Sequence, residues 1–177
     1  MSTKVKTGLV RFSYVHVFEK YANEPGQKEK YSVSLLIPKT DTVTLENISR
    51  AILAAAEAGK GKWGGTIPSN IRGPLRDGDL EKPDHEEYKG HMFLSANSYN
   101  RKPGVIDINN QEIIDPDDFY SGCYGKAIID FYAYNTNGKG VACGLQHLKK
   151  LKDGENLGGS NGSAADAFAD DDDDNFM

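Results

Sequence analysis

Alternating apolar and polar positions recur along the chain and predict a protein built mainly from β-strands. Segment 9–18 is rich in β-branched and aromatic residues, segments 30–38 and 91–99 alternate, and Pro38 ends the second of the three. The alternation is clearest in segment 119–135, where one face carries Ala127, Ile129, Phe131 and Ala133. Residues two apart on a strand point to the same side of the sheet, so we expect this face to line the core.

A hairpin is predicted after the 119–135 strand. Its returning strand covers 141–151. Between the two strands lies Asn137–Gly138, a dipeptide suited to a type I′ turn. This pair of strands therefore supplies a long antiparallel ribbon near the end of the chain.

One helix is predicted over residues 42–58. Its apolar stripe consists of Leu45, Ile48 and Ile52, with Leu53, Ala55 and Ala56 beside it. Asp41, Thr42 and Thr44 are candidate N-caps, and Gly59 supplies a C-terminal stop.

Residues 59–90 follow neither the strand period nor the helix period. This segment holds seven of the 19 glycines and three of the seven prolines, which predicts a long loop. A loop of that length within a compact domain is usually functional or mobile. It carries the only tryptophan among several cations: Lys60, Lys62, Trp63, Arg72 and Arg76.

About five main strands and one helix, in a body of residues 1–152, favour a small five-stranded antiparallel barrel of the OB-fold type. A β-sandwich is the alternative that the strand pattern leaves open. From residue 153 the composition turns to Gly, Ser, Asn, Ala and Asp, which is typical of a disordered segment. We therefore expect an OB-fold domain at 1–152 and a flexible acidic tail at 153–177.

The charge distribution separates the body from the tail. The chain carries a net charge of −5, but eight of its 26 acidic residues lie after Lys152, whereas all 21 Lys and Arg precede that point or occupy it. The body is therefore basic, with a net charge of +3. Such asymmetry indicates a charged partner rather than a particular fold.

Several classes of protein are disfavoured by the sequence. No apolar run approaches the ~20 residues of a transmembrane helix, and the N-terminus lacks a signal-peptide pattern, so we expect a cytoplasmic protein with no membrane partner. Two cysteines, Cys123 and Cys143, are expected to be reduced. The spacing of the cysteines and histidines (His16, His85, His91 and His147) matches no zinc motif. No nucleotide-binding or nucleophile motif is present either, so no catalytic residue, metal or cofactor is expected.

Aromatic and basic residues share the strand faces that lie opposite the apolar ones. Phe93 and Tyr99 share a face with Ser95 and Asn97. Bases of a single strand stack on aromatic rings while cations neutralise the phosphates, so this combination predicts a single-strand binding surface. The candidate stacking rings are Tyr14, Trp63, Tyr99, Tyr132 and Tyr134, and the candidate phosphate contacts are Lys60, Lys62, Arg72, Arg76, Arg101, Lys102 and Lys126.

The acidic tail has a function compatible with that surface. Its aspartate run consists of Asp170, Asp171, Asp172, Asp173 and Asp174, and Phe168 and Phe176 flank it. A tethered polyanion imitates single-stranded nucleic acid, so it would compete for a basic groove at high effective concentration. Once displaced, the run and the Phe176 ring would bind a basic patch on another protein.

Two blocks of the chain resemble a known family. They are HMFLSANSYNRKPGVID at 91–107 and FYSGCYGKAIIDFYAYNTNGKGVACGLQHLKKLKDGE at 119–155, and RFSYVHVFEK and YSVSLLIPK resemble the start of the same family. The family is that of bacteriophage single-stranded-DNA-binding proteins with an OB-fold core and an acidic C-terminal tail. The resemblance implies sequence-independent coating of single-stranded DNA during phage replication, recombination or repair, in the host cytoplasm and without catalysis. It also implies that the tail recruits replication proteins such as polymerase, helicase or nuclease.

Two other functions stay open at this point. A metal-dependent nuclease of phage DNA metabolism would use Asp107 and Asp130, the acidic residues placed on strands. A protein-interaction adaptor would use the tail alone. The sequence does not separate coating from annealing or DNA from RNA, and it is compatible with a homo-oligomer without fixing the oligomeric state.

Overall fold

The computed structural model describes residues 2–22, 24–136 and 138–157. In this part of the chain the strands are β1 (Lys4–Lys6), β2 (Val10–Tyr21), β3 (Lys30–Pro38), β4 (Arg76–Asp77), β5 (His91–Ser98), β6 (Gly104–Ile106), β7 (Tyr124–Tyr134) and β8 (Gly140–Lys152). The helices are α1 (Thr42–Gly59) and the single turn α2 (Gly78–Glu81). Short 3₁₀ turns occupy Lys60–Trp63, Glu86–Tyr88 and Pro116–Asp118.

Five strands close into a barrel. Around the ring, β7 pairs with β2, β2 with β3, β3 with β5, β5 with β8, and β8 with β7. The mainly β, OB-fold-like barrel with one main helix is therefore confirmed. One detail of the prediction is wrong, because β5 and β8 pair in parallel. An odd number of strands cannot close a ring with antiparallel pairs alone, so one parallel seam is required.

Three short strands extend the barrel at its margins. β1 pairs antiparallel with β7, β4 pairs antiparallel with β5, and β6 pairs in parallel with β8. These additions lie outside the five-strand ring, so they leave the closed core intact.

The barrel interior contains the face of β7 that the alternation predicted. Ala127, Ile129, Phe131 and Ala133 of β7 are all buried, as are Val33, Leu35 and Ile37 of β3. The two strands meet in one hydrophobic cluster. Burial of these side chains supplies the main driving force for closing the ring.

Helix α1 packs against one part of this barrel. Asp41 is its N-cap, since the Asp41 carboxylate accepts a hydrogen bond from the Thr44 amide at 3.1 Å. The helix buries Ile48 and its alanines, whereas Leu53 is 62% exposed and lies outside the core. At Gly59 a Cβ would come within 2.3 Å of the Ala133 Cβ, so only glycine allows the helix end to approach β7 this closely.

The segment 59–90 is ordered and packs on the barrel. It contains β4, α2 and two 3₁₀ turns, and these cover part of the outer barrel surface. Tyr88 is buried there with Leu36 and Phe93 in a second apolar cluster. The Tyr88 and Phe93 rings meet edge to face, with centroids 5.0 Å apart. The segment predicted as a long loop therefore forms a layer of short elements and turns on the barrel.

Residues 153–157 lie against the barrel. The Tyr120 hydroxyl lies 2.9 Å from Asp153 Oδ1, and the Arg11 guanidinium donates to the Glu155 carbonyl at 2.9 Å. The Leu157 amide donates to the Ser121 carbonyl at 2.9 Å. The remainder of the predicted tail, with Asp170–Asp174 and Phe176, lies outside the described residues, as does Asn137 of the predicted turn.

Among the described residues, neither helix combines the length and the apolar character needed to cross a membrane. Both cysteines are free and buried. Burial raises the pKa of the Cys123 thiol to about 11 and also raises the pKa of Cys143. Both side chains therefore behave as small apolar core residues at neutral pH.

Candidate nucleic-acid interface

A groove crosses the outer face of β5. Two adjoining hollows of about 260 and 360 Å³ share three residues of this strand: Phe93, Ser95 and Asn97. The first hollow continues towards Arg72, Arg76 and Tyr134, and the second continues towards Tyr14, His16, Lys30 and Lys82. We refer to this continuous depression as the groove.

The floor of the groove is polar and shallow. Ser34 of β3 stands directly opposite Ser95 of β5, and their hydroxyl oxygens are 3.4 Å apart. Asn97 stands between Ser32 of β3 and Gly144 of β8. Short side chains on three neighbouring strands leave room above the sheet for planar groups.

The wall on the β2 side depends on a β-bulge. The register between β2 and β3 shifts between Ser13 and His16, and Tyr14 lies there with a φ of 48°. This left-handed conformation costs roughly 1–2 kcal/mol for a residue other than glycine. A hydrogen bond of 3.2 Å from the Val15 amide to Ser121 Oγ helps to hold it. As a result the Tyr14 ring is 49% exposed, with Lys82 Nζ 5.7 Å from its centroid.

Lysines and arginines surround the groove on both sides. Lys28 Nζ and Lys30 Nζ lie 5.2 and 5.8 Å from the centroid of the Tyr99 ring. On the other side the Arg72 backbone is fixed to the β7–β8 connection, because its amide donates to the Lys139 carbonyl at 3.0 Å.

Most of these cations have no acidic partner among the described residues. Within the described ranges, Lys28, Lys30, Lys82 and Arg72 form no ion pair, whereas Arg76 contacts Glu81 at 3.3 Å. Unpaired cations on the two sides of a groove are available to neutralise an anionic backbone.

Four of the predicted site residues line this groove, and two more, Tyr99 and Tyr132, lie near it. Tyr14, Arg72, Arg76 and Tyr134 line it directly. Tyr99 adjoins it beneath Lys28 and Lys30. Tyr132 is 41% exposed, and its pKa is raised first by partial burial and then by the nearby Tyr99.

Trp63 requires a correction, because the structure buries it. The ring is 7% exposed, and its indole N–H donates to the Tyr134 carbonyl at 2.9 Å. Lys62 Nζ similarly donates to the Ala133 carbonyl at 2.9 Å, and Lys60 pairs with Glu57 at 3.2 Å. These three residues fasten the 3₁₀ turn to its surroundings and do not line the groove. A buried Trp63 ring has no free face on which a base could stack.

Three other predicted cations lie away from the lining. Arg101 and Lys102 follow β5, and Lys102 Nζ is 5.9 Å from the centroid of the Phe18 ring. Lys126 lies beside Lys149 near the start of β7. It is six residues from Tyr132, which corresponds to roughly 20 Å along a strand.

Among the lining residues that were not predicted as site residues are His16, Lys30 and Lys82, which carry a ring or a charge. Lys28 and Lys30 stand at the turn between the first two predicted strands, so their charge was a usable signal. His16 carried no such signal, because a bulge redirects its side chain and strict alternation does not anticipate bulges.

The alternative catalytic residues have local structural roles. Asp107 Oδ1 accepts hydrogen bonds from the Asn109 and Gln111 amides at 2.8 and 3.0 Å and so closes a turn. Asp130 Oδ1 accepts from the Thr3 hydroxyl at 2.7 Å. Across the described chain, no three His, Cys, Asp or Glu side chains converge in a way that could hold a metal ion.

Known proteins resemble the chain in sequence and in structure. Protein p50 of Acyrthosiphon pisum secondary endosymbiont phage 1 is 33% identical over 177 residues, covering 94% of this chain and 93% of that protein. The single-stranded DNA-binding protein from bacteriophage Enc34, in complex with ssDNA, superimposes with a TM-score of 0.79 at 28% identity, covering 88% of this chain and 90% of that one. Bacteriophage T7 gp2.5, a single-stranded DNA-binding protein, gives a TM-score of 0.67 at 16% identity, covering 97% and 95% of the two chains. The T7 likeness shows a shared fold.

A family model matches residues 3–177, which is nearly the whole chain. The model is described as Enterobacter phage Enc34, ssDNA-binding protein. The match includes the β-barrel, the segment 59–90 and the acidic end of the chain. The protein therefore belongs to the family of the Enterobacter phage Enc34 ssDNA-binding protein.

Proposed function

We propose that this protein binds single-stranded DNA in the groove without sequence preference and coats strands exposed during phage DNA replication, recombination or repair. The observation that carries the proposal is the groove itself. Rings and cations stand on both of its sides, above a shallow polar floor. A related protein of 28% identity and closely similar structure was solved in complex with ssDNA.

The two parts of a nucleotide would meet different side chains. Tyr14, Tyr99 and Tyr134 would stack on bases, each stacked base contributing about 1–3 kcal/mol. Lys28, Lys30, Lys82 and Arg72 would neutralise phosphates, and Arg76 would add to them once its contact with Glu81 is exchanged. Tyr132 would extend the stacking surface beside Tyr99.

Absence of sequence preference follows from this chemistry. Every base has a π-face, so stacking does not distinguish one base from another. Hydroxyl groups such as those of Ser34 and Ser95 rotate and serve as donor or acceptor, so they accept different base edges. A base paired in a duplex keeps both faces covered by its neighbours, and the rings would therefore select unpaired strands.

The acidic tail would regulate this groove and recruit partners. The described chain ends at Leu157, whose amide bonds to Ser121, and Ser121 in turn bonds to Val15 beside Tyr14. The tail thus starts close to the groove. Twelve residues separate Leu157 from Asp170, a span of up to about 45 Å when extended. Asp170–Asp174 would occupy the basic groove in the absence of DNA. When DNA displaces them, this run and Phe176 would bind replication or recombination proteins.

The proposal contains no catalytic step, metal or cofactor, and it places the protein in the host cytoplasm, where phage DNA is copied. Fluorescence anisotropy with a labelled oligo-dT strand tests it. We expect saturable binding that weakens as salt is added, with an excess of unlabelled oligo-dC competing and an equal mass of duplex competing poorly. Equal competition by duplex, or binding that does not respond to salt, would contradict the proposal.

A further inference from the structure

A second irregularity in β2 brings two distant rings together. His16 is opposite Ser32 of β3, and Tyr21 is opposite Lys30, so five steps along β2 correspond to two steps along β3. Three extra residues therefore bulge out of the ladder between them. The His16 and Tyr21 rings consequently stack, with centroids 4.1 Å apart and planes inclined by 6°. A regular strand would hold two residues five positions apart on opposite faces, at a distance of roughly 16 Å.

This stacked pair borders the groove. His16 lines the groove beside Tyr14 and Lys82. Tyr21 is 43% exposed and lines a separate hollow of about 400 Å³ at the tip of the β2–β3 hairpin. The pair therefore stands between the groove and the hairpin tip, and each ring has one face turned away from the other.

The core does not need this arrangement. Tyr21 lies outside the hydrophobic clusters, and His16 is only partly buried. Bulges are over-represented next to functional sites, where they redirect side chains. The first irregularity of β2 redirects Tyr14 towards the groove, and the second pairs His16, which lines the groove, with Tyr21.

We propose that the His16–Tyr21 pair is a stacking platform for one nucleobase, extending the DNA site from Tyr14 towards the β2–β3 hairpin. This inference rests on the proposed function. Rings that are already stacked lose little conformational freedom when a base is added, so the platform is preorganised. The phosphate next to that base lies within reach of Lys30 and Lys82, which line the same hollow.

Protonation of His16 should make the salt dependence of DNA binding change with pH. Burial lowers the pKa of His16, so the ring is neutral at pH 8 and gains its charge only below the range usual for histidine. The titratable and charged groups facing it along the groove are Lys30 of β3, Lys82 after α2, and the hydroxyls of Tyr14, Tyr21 and Tyr88. Histidine is the one residue type among these that ordinarily titrates between pH 5 and 8. A cationic His16 adds one phosphate contact, so we expect binding to depend more steeply on salt at pH 5 than at pH 8.

The first test replaces the exposed ring. In the full chain at pH 8, Tyr21→Leu should weaken oligo-dT binding by about 5- to 150-fold, the range expected for the loss of one stacked base. Tyr21→Phe keeps the ring and should bind within about twofold of wild type. The matched control is Tyr124→Leu, since Tyr124 is also a partly exposed strand tyrosine under cations, Arg11 and Lys152, but lies away from the groove.

The second test uses protonation, which a purely structural role would not affect. For wild type, the slope of log affinity against log salt should be steeper at pH 5 than at pH 8, by at most the roughly 0.7 that one added contact contributes. His16→Phe keeps a ring without the charge, so its slopes at the two pH values should agree.

The outcomes separate the two proposals. If wild type fails to bind oligo-dT, the proposed function is wrong. If wild type binds and folded Tyr21→Leu binds within twofold of it, the platform is wrong. Should Tyr21→Leu lose its cooperative thermal transition, His16→Ala decides instead: a loss of fivefold or more supports the platform, and unchanged affinity overturns it.

Discussion

Removing two cations from the groove should flatten the salt dependence of DNA binding by a calculable amount. Lys30 and Lys82 face the same hollow from β3 and from the segment after α2, and neither pairs with a carboxylate within the described ranges. Their Nζ atoms lie above tyrosine rings, at 5.8 Å from Tyr99 and 5.7 Å from Tyr14. The double variant Lys30→Gln/Lys82→Gln removes both charges and keeps side chains of similar length.

The magnitude follows from the number of phosphates neutralised. Four unpaired cations, Lys28, Lys30, Lys82 and Arg72, predict a slope of log affinity against log salt of about −2.8 for a single strand. Between 50 and 200 mM salt, wild-type affinity should therefore fall about 50-fold. With two contacts removed the slope becomes about −1.4, and the same change in salt should weaken binding only about sevenfold.

Anisotropy titrations at four salt concentrations, performed in parallel on both proteins, measure these slopes. Lys6→Gln/Lys89→Gln is the matched control, because it removes the same charge from two exposed lysines that do not line the groove. Its slope should equal that of wild type. If the groove variant keeps the wild-type slope, or if the control loses as much, the phosphates do not follow the groove and the electrostatic reasoning fails.

Three further predictions concern the tail, the buried Trp63 indole and the close contacts at Gly140. Deleting 165–177 should tighten oligo-dT binding at low salt by removing a competing polyanion, and equal affinity in a side-by-side titration would refute the competition. Trp63→Phe removes the hydrogen bond to the Tyr134 carbonyl, so thermal or urea unfolding should show a free energy of unfolding lower by about 0.5–1.5 kcal/mol. DNA affinity should stay nearly unchanged. A large loss of affinity in the folded variant would mean that Trp63 contacts DNA. Gly140→Ala places a Cβ 2.5 Å from the Tyr134 hydroxyl and 2.7 Å from the Arg72 carbonyl, so it should displace both groove residues. Its affinity should fall clearly, as followed by anisotropy, and wild-type affinity would show that this wall is unimportant.

Local periodicity was sufficient for most of the fold. The inward face of β7 follows directly from alternation, because burial imposes a period of two on a half-buried strand. The predicted bounds of β3 match the structure, although residues 33–37 are buried on both faces of that strand. The parallel seam between β5 and β8 was not visible in any one segment. It follows only when all five strands are placed in one ring, which is a property of the topology.

The sequence predicted the chemistry of the candidate site but only some of its residues. Aromatic and basic residues on outward faces indicated the chemistry, and Tyr14, Tyr134, Arg72 and Arg76 do line the groove. The residues that neighbour Trp63 in the sequence do not indicate whether its ring is exposed or buried. A long-range hydrogen bond to β7 decides its position, and such a bond leaves no local signature.

Bulges account for much of the side-chain placement that the sequence did not predict. The sequence of β2 alternates well enough to predict a strand, yet two register shifts determine which rings reach the groove. An extra residue in a ladder is set by the pairing partner and by contacts such as that between Val15 and Ser121. These contacts form only in the folded barrel, so side-chain direction in β2 could not be inferred from its own residues.

Photocrosslinking tests the central claim most directly, namely that the DNA strand lies across the outer face of β5. An oligo-dT strand carrying a single 5-iodouracil, irradiated with the full chain, forms covalent adducts with aromatic side chains in contact with that base. Mass spectrometry of the digested adduct should locate crosslinks at Tyr14, Tyr99 or Tyr134. Crosslinks confined to Tyr120 and Tyr124, which do not line the groove, would contradict the account.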